Sequence, residues 1–229
     1  MIKIISLGGS IVAPNSIDVP YLKKLASLVR SYLEADSNRK LVFIVGGGKP
    51  AREYQAAYRS IVTDPDDETQ DWIGIAATRL NGELLRGIFR DKCHHPVVTD
   101  PTSINSFDGS ILVAAGWKPG CSSDFDAVLL AEAFHADTVI NLSNIDQVYT
   151  ADPKQDPSAR PLYQLRWDEF RTLVGDTWVP GKNLPFDPIA ARRAQEDKLK
   201  VIVAAGTDLS NLLNILEDRP FLGTTIGPD

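Results

Sequence analysis

Three consecutive glycines and a lysine, in Gly46-Gly47-Gly48-Lys49-Pro50-Ala51-Arg52, follow directly on the apolar run Leu41-Val42-Phe43-Ile44-Val45. A second run, Ile2-Lys3-Ile4-Ile5-Ser6-Leu7, ends in Gly8-Gly9-Ser10. A glycine turn between a strand and a helix offers bare backbone N–H groups and the positive end of a helix dipole, which suits phosphate. No Cβ blocks the anion there, and positive φ carries little penalty. Two such turns in one small domain suggest two phosphate groups held side by side, as phosphoryl transfer requires. The triple glycine matches neither G-x-x-x-x-G-K-[ST] nor G-x-G-x-x-G. Three glycines exceed what a tight turn needs, which favours a functional reading. Lys49 and Arg52 lie one helical turn apart and can face one anion. Ser10 is either a helix cap or a phosphate donor.

Two more segments lie beyond strand-like runs. Gly116-Trp117-Lys118-Pro119-Gly120-Cys121-Ser122-Ser123-Asp124 follows residues 111–115 and opens a helix. Ser122, Ser123 and Asp124 read as an N-cap, or as a third helix N-terminus aimed at a second phosphate. Asp126 is expected to point elsewhere. In the segment from Asn141 to Pro153 a buried strand runs into a polar loop. Ligands of open α/β sheets bind beyond the C-terminal ends of strands. Asn144, Tyr149 and Asp152 suit contacts to a base and ribose, and the alternative is a surface loop of Asx turns. His94, His95 and His135 show neither metal-ligand spacing nor the makings of a hydrolase triad, so no protein metal site is read here.

The elements that must carry these loops alternate. Strands are expected at residues 2–7, 41–45, 97–99, 111–115, 138–142, 201–205 and 223–226. Helices are expected at residues 21–35, 51–62, 71–89, 124–135, 187–197 and 209–216. The helix at 71–89 should be the longest, with Ile73, Ala77, Leu80, Leu84 and Ile88 on one stripe. This alternation implies a mostly parallel sheet with helices on both faces. Residues 175–185, rich in Pro and Gly, are expected to form a mobile loop.

The chain has 229 residues, of which 43% are hydrophobic and 24% charged, the balance of a globular protein with a sizeable core. Its net charge of −6 argues against a nucleic-acid partner, which favours a basic patch. No apolar run approaches a membrane span. The N-terminus reads as a core strand rather than a signal peptide. The two cysteines, Cys93 and Cys121, form no disulfide framework, so a reducing cytoplasm is the expected compartment.

The loops Leu7-Gly8-Gly9-Ser10, Gly46 to Arg52 and Ser143-Asn144-Ile145-Asp146-Gln147-Val148-Tyr149-Thr150-Ala151-Asp152-Pro153 resemble those of the amino acid kinase superfamily, and within it the archaeal-type uridylate (UMP) kinases. The resemblance extends to Gly223-Thr224-Thr225-Ile226, and Asp71 to Arg79 looks like the helix start that holds UMP. It implies a single domain over residues 1–229 with a three-layer αβα sandwich. The acceptor part would span roughly residues 1–135 and the ATP part roughly 136–229. Gly9, Ser10, Gly48 and Arg52 would then meet the ATP phosphates. Ser143, Asn144, Tyr149 and Asp152 would line the nucleoside pocket. Gly47, Asp71, Lys118, Pro119, Gly120, Cys121, Ser122 and Ser123 would hold UMP. Asp124 would organise phosphates with lysines or Mg²⁺, and the assembly would be a homo-oligomer, with a hexamer favoured.

The chain departs from the family pattern in places. Ser6 stands where many superfamily members carry a lysine, a departure shared by the archaeal-type kinases. Gly181-Lys182-Asn183-Leu184 replaces a serine-rich loop, and Lys182 is either a cation for the transferring phosphoryl group or a solvated loop lysine. Cys121-Ser122-Ser123 replaces a more usual His-Thr-Thr. The implied reaction is ATP + UMP to ADP + UDP. The acceptor phosphate is already an anion, so no general base is needed, and Lys49, Arg52, Asp124 and Lys182 are the catalytic candidates. The alternatives are a non-catalytic nucleotide-binding or storage protein on the same fold, or a kinase for another small phosphate or carboxylate.

Overall fold

The computed structural model describes residues 2–175 and 184–228. Lys182 and most of the segment expected to be mobile therefore lie outside the described residues. In chain order, β1 (Ile2–Leu7) leads through the short α1 (Gly9–Val12) to α2 (Val19–Glu34) and β2 (Lys40–Val45). Next come α3 (Gly48–Ile61), α4 (Asp67–Ile88), a 3₁₀ turn (Pro101–Ser103), β3 (Ile111–Ala115), α5 (Ser123–Ala133) and β4 (Thr138–Ser143). Three short strands follow, β5 (Val148–Tyr149), β6 (Pro161–Leu162) and β7 (Gln164–Arg166), and then α6 (Trp167–Val174) and α7 (Pro188–Glu196). The chain closes with β8 (Lys200–Ala205), α8 (Leu209–Leu216) and β9 (Thr224–Gly227).

Among the described residues these strands form a seven-stranded sheet in the order β3-β2-β1-β4-β8-β9-β7, and β5 and β6 pair separately as an antiparallel ribbon. All pairings in the large sheet are parallel except that of β8 with β9. Alternate side chains leave opposite faces of a strand, and the apolar runs use both. Ile4, Val42, Ile44, Leu112, Val139 and Val201 pack towards α5, α6 and α7. Ile5, Leu41, Phe43, Val113, Ile140 and Ile202 pack towards α2, α8 and the far end of α4. Burial on both faces is what near-continuous apolar strands predict for a parallel sheet. The result is the expected three-layer αβα sandwich.

Helix starts follow their caps. The Asp18 carboxylate accepts from the Tyr21 N–H at 2.9 Å, and that of Asp66 from the Thr69 N–H at 2.7 Å. Asp66 explains why α4 begins at Asp67 rather than at the expected residue 71. The acidic loop supplies both the cap and a first turn, Asp67 and Glu68, that suits the helix dipole. Asp71 thus lies one turn inside the helix.

Residues 97–99 form no strand. Val98 alone bridges to β3, its N–H donating to the Val113 carbonyl at 2.9 Å and its carbonyl accepting from the Ala115 N–H at 2.9 Å. Pro96 lacks a donor on one side, and the Asp100-capped turn with Pro101 ends the run on the other. Ser10 is not a cap either, because Gly8 holds that position and Ser10 sits inside α1. His135 lies just past α5 in the left-handed region, at φ 52°.

Candidate active site

The chemistry-bearing loops all lie at the C-terminal ends of neighbouring parallel strands, β1, β2, β3 and β4. The two glycine turns interlock backbone to backbone. A Cβ on Gly9 would stand 2.0 Å from the Gly48 nitrogen, and one on Gly46 would stand 2.5 Å from the Gly9 nitrogen. Gly48 has φ +70°, and a Cβ there would lie 2.4 Å from the Gly9 carbonyl oxygen. No L side chain fits at these contacts, so the glycines serve close approach as well as anion access. Further bonds fix the pair. The Gly8 N–H donates to the Leu142 carbonyl at 2.8 Å, and the Lys49 N–H to that of Ala13 at 3.0 Å. Buried Asn81 of α4 donates through Nδ2 to the carbonyls of Gly46 at 2.8 Å and Gly47 at 3.2 Å.

On one side of the glycine loops a cleft of about 200 Å³ is lined by Gly46, Gly47, Asp71, Thr78, Cys121 and Ser123 among others. It brings together four residues assigned to the acceptor from sequence. Lys118, Pro119, Gly120 and Ser122 belong to the loop above it. The Gly120 N–H donates to Asp71 Oδ2 at 2.8 Å, which ties that loop to α4. Ser122 is the cap of α5, its Oγ accepting from the Phe125 N–H at 3.1 Å. Lys118 Nζ lies 3.8 Å from the centroid of the Trp117 ring.

On the other side a cleft of about 380 Å³ runs along residues 144–154 and includes Asn144, Tyr149 and Asp152, with Leu173 and Pro185 opposite. Its walls are held by tertiary bonds. The Val148 N–H donates to Thr224 Oγ1 at 2.8 Å, and buried Gln147 donates to the Gly223 carbonyl at 3.2 Å. Asp152 also makes an Asx turn with the Lys154 N–H at 2.9 Å, and Ser143 Oγ accepts from the Ile145 N–H at 3.1 Å. Tyr149 donates to Asp146 Oδ2 at 3.3 Å.

Asp124 stands in the first turn of α5, next to Ser123 of the smaller cleft. Its Oδ1 accepts from the Ser6 hydroxyl at 3.0 Å and its Oδ2 from the Asp187 N–H at 3.2 Å. Burial pushes its carboxyl up to about 6; the Ser6 bond opposes this and the Asp187 charge adds to it. Lys49 Nζ reaches Asn15 Oδ1 at 3.2 Å and pairs with Glu53 at 3.6 Å, while Arg52 is exposed on the next turn. Among the described residues no cluster of three His, Cys, Asp or Glu could cage a metal. The set fits Mg²⁺ in another way, since that ion commonly takes one or two carboxylates and leaves the rest to phosphate and water. Asp124, with Asp187 beside it and a destabilised charge of its own, is a carboxylate of that kind.

Thr78 and Arg79 close the segment that the resemblance assigns to UMP, and both bond the backbone of the acceptor loop; Asn81, one turn on, is not singled out by the sequence. Asp126, expected to point elsewhere, turns beneath the acceptor loop, where its Oδ2 accepts from the Trp117 N–H at 3.2 Å.

Architecture and paired glycine loops define a three-layer αβα phosphate-binding protein. The model of the amino acid kinase family matches residues 1–205, and the chain belongs to that family. It is similar to the uridylate kinase of Methanospirillum hungatei, with 34% identity over 226 residues, 97% of this chain and 93% of the relative. It is 35% identical to that of Thermoplasma volcanium over 227 residues, 97% and 96% of the two chains. The crystal structure of uridylate kinase from Archaeoglobus fulgidus matches with a TM-score of 0.84 at 32% identity, covering 99% of this chain and 100% of that one. A UMP kinase from Bacillus anthracis shares the fold at a TM-score of 0.79 and 20% identity.

Proposed function

We propose that this protein transfers the γ-phosphoryl group of ATP to UMP, giving ADP and UDP. The observation that carries the reading is the interlocked pair of glycine loops, with an acceptor-sized cleft on one side and a nucleoside-sized cleft on the other. The relatives reported above are all kinases, and the storage reading finds no support in them.

In this reading the backbone N–H groups of Gly9 and Gly48, with Ser10 and Arg52, hold the ATP phosphates. Ser143, Asn144, Tyr149 and Asp152 hold the nucleoside. Gly47, Asp71 and residues Lys118 to Ser123 hold UMP. The acceptor part is roughly residues 1–135 and the donor part roughly 136–229, two halves of one sheet. A UMP phosphate has a second pKa of about 6 and attacks as the anion. The protein's task is then to align acceptor oxygen and γ-phosphorus and to stabilise charge on the equatorial oxygens. Lys49, Arg52 and the glycine N–H groups supply fixed positive ends for that charge. Lys182 is proposed as a further cation. Mg²⁺, held by the ATP phosphates and Asp124, would neutralise charge at the transferring group.

The proposed assembly is a homo-oligomer, a hexamer by resemblance. An apolar groove between α3 and α4, lined by Ile17, Tyr54, Ile73, Leu80 and Leu84, gives copies a surface to share. Tyr54 and Leu80 are 70% and 72% exposed in the single chain, more than an isolated surface helix needs. Light scattering on the purified protein checks this, and a monomer at micromolar concentration refutes it.

The deciding experiment is ADP release from MgATP with UMP, CMP, dUMP, AMP and isopentenyl phosphate, each offered separately. Fast turnover with UMP supports the proposal. Tight ATP binding without turnover of any acceptor refutes it.

A further inference from the structure

The acceptor loop begins with two residues whose backbone is fixed entirely by side chains. The Gly116 N–H donates to Thr78 Oγ1 at 2.8 Å. Arg79 donates to the Gly116 carbonyl through Nε at 3.2 Å and to the Trp117 carbonyl through Nη2 at 3.0 Å. The Trp117 N–H donates to Asp126 Oδ2 at 3.2 Å. Thr78 and Arg79 come from α4, on one wall of the acceptor cleft, and Asp126 comes from α5, behind it. Asp126 is 0% exposed, and its Oδ1 has no hydrogen-bond partner. As a structural element alone this is a poor choice of residue. A buried carboxylate with one unmet oxygen is destabilising, and an apolar side chain of similar volume would avoid the penalty.

We propose that Asp126 is a positioning residue for the phosphoryl acceptor: its carboxylate holds the Trp117 peptide, and through it the loop from Lys118 to Ser123 over the acceptor cleft. The inference rests on the acceptor reading above. The contact is strongest when the carboxylate is ionised, because a charged acceptor roughly doubles the strength of such a bond. Burial pushes the Asp126 carboxyl up to about 7; the Trp117 N–H opposes this, and the charges of Asp124 and Asp100 add to it. Asp124 lies on its own helix and Asp100 caps the 3₁₀ turn packed against α5. Cys121 faces it from the loop itself, Lys118 acts on Cys121 and on Asp100, and Asp187, at the cap of α7, acts on both Asp124 and Cys121.

Steady-state kinetics of the full chain with MgATP and UMP test this, using Asp126→Asn and Asp126→Val. Both variants should raise KM for UMP, Val by about tenfold and Asn by less, with the rise exceeding any change in KM for ATP. The melting temperature should hold or rise. An unchanged KM for UMP in an active variant overturns the inference, as does an equal rise for both substrates. Amide exchange at Trp117 provides a readout without turnover. If the wild type does not use UMP, the acceptor reading fails. Faster Trp117 exchange in Asp126→Val then still supports the positioning contact, and unchanged exchange overturns it.

Discussion

Replacing Gly9 by alanine tests whether the two phosphate loops form one rigid unit. The new Cβ would stand 2.0 Å from the Gly48 nitrogen and 2.5 and 2.7 Å from the carbonyl carbon and oxygen of Gly46. All three are backbone atoms, so no flexible side chain can swing aside. Ordinary contact begins near 3.4 Å, and one loop must retreat by more than about 1 Å. A misplacement of ~1 Å in a positioned site costs on the order of 10²-fold in rate. Overpacking of this kind destabilises by roughly 1–3 kcal/mol. Gly9→Ala should therefore lose about 10²-fold in kcat/KM, measured by coupled ADP release, and shift the urea midpoint down. Gly87→Ala is the control. Gly87 lies in α4, and a methyl group added there would meet nothing within 4 Å. The same chemical change there should stabilise by roughly 0.5–1 kcal/mol, because alanine loses less backbone entropy. Its kcat/KM should stay at the wild-type value. A Gly9→Ala protein with wild-type rate and wild-type midpoint would refute the interlocked-loop argument.

Arg52→Ala and Asp124→Asn should each lower kcat by about 10²–10³-fold with the fold intact by circular dichroism, as expected when a stabiliser of transition-state charge is lost; wild-type rates in folded variants would remove these residues from the mechanism. Asn81→Ala leaves the carbonyls of Gly46 and Gly47 without their buried donor and should cost about 1–3 kcal/mol in urea unfolding, with a reduced rate. Stability should fall as pH rises from about 4 to about 7. Burial pushes the carboxyls of Asp124 and Asp126 up to about 6 and about 7, from 3.8 for the free side chain, so the native state binds more protons in that window. The carboxylates of Asp66, Asp91 and Asp208, held below the usual value by hydrogen bonds, act in the opposite sense only at lower pH. A urea midpoint that climbs between pH 5 and 8 would contradict this.

The sheet was legible because its strands are apolar on both faces and its turns are punctuated by glycine. The register of alternation in Ile4 and Ile5, or in Val42 and Phe43, already separates the two cores. What stayed hidden was short or local. β5, β6 and β7 have two or three residues each, too few for a period to show, and β6 contains a proline. α6 starts at Arg166, a residue type rarely used as a cap, and its backbone N–H is met instead by Glu169 at 2.8 Å. The glycine loops could be read as phosphate turns, but their mutual contact at Gly9 and Gly48 could not, because it joins residues far apart in sequence. The support from Thr78, Arg79, Asn81 and Asp126 was hidden for the same reason. Each looks like a surface polar residue until the fold turns it towards a loop.

Ser6 shows how an acidic chain can suit two polyanions. The resemblance would put a lysine there in many superfamily members. Here a hydroxyl donates to the Asp124 carboxylate at 3.0 Å. Burial pushes the Asp124 carboxyl up to about 6, and the Ser6 hydroxyl opposes this without cancelling the charge. In the proposed reading the positive potential for phosphate comes from elsewhere: from the N–H groups of the glycine turns, from Lys49 and Arg52 at the start of α3, and from the cation that accompanies ATP. Backbone donors carry no net charge and need no counter-ion, which is why a net charge of −6 and a phosphate-binding site are compatible in one domain. The same logic sets Asp124 apart from Asp126. The first stands beside Ser123 of the acceptor cleft, where a cation can offset its charge. The second is sealed beneath the acceptor loop, where the Trp117 N–H is the donor that meets it.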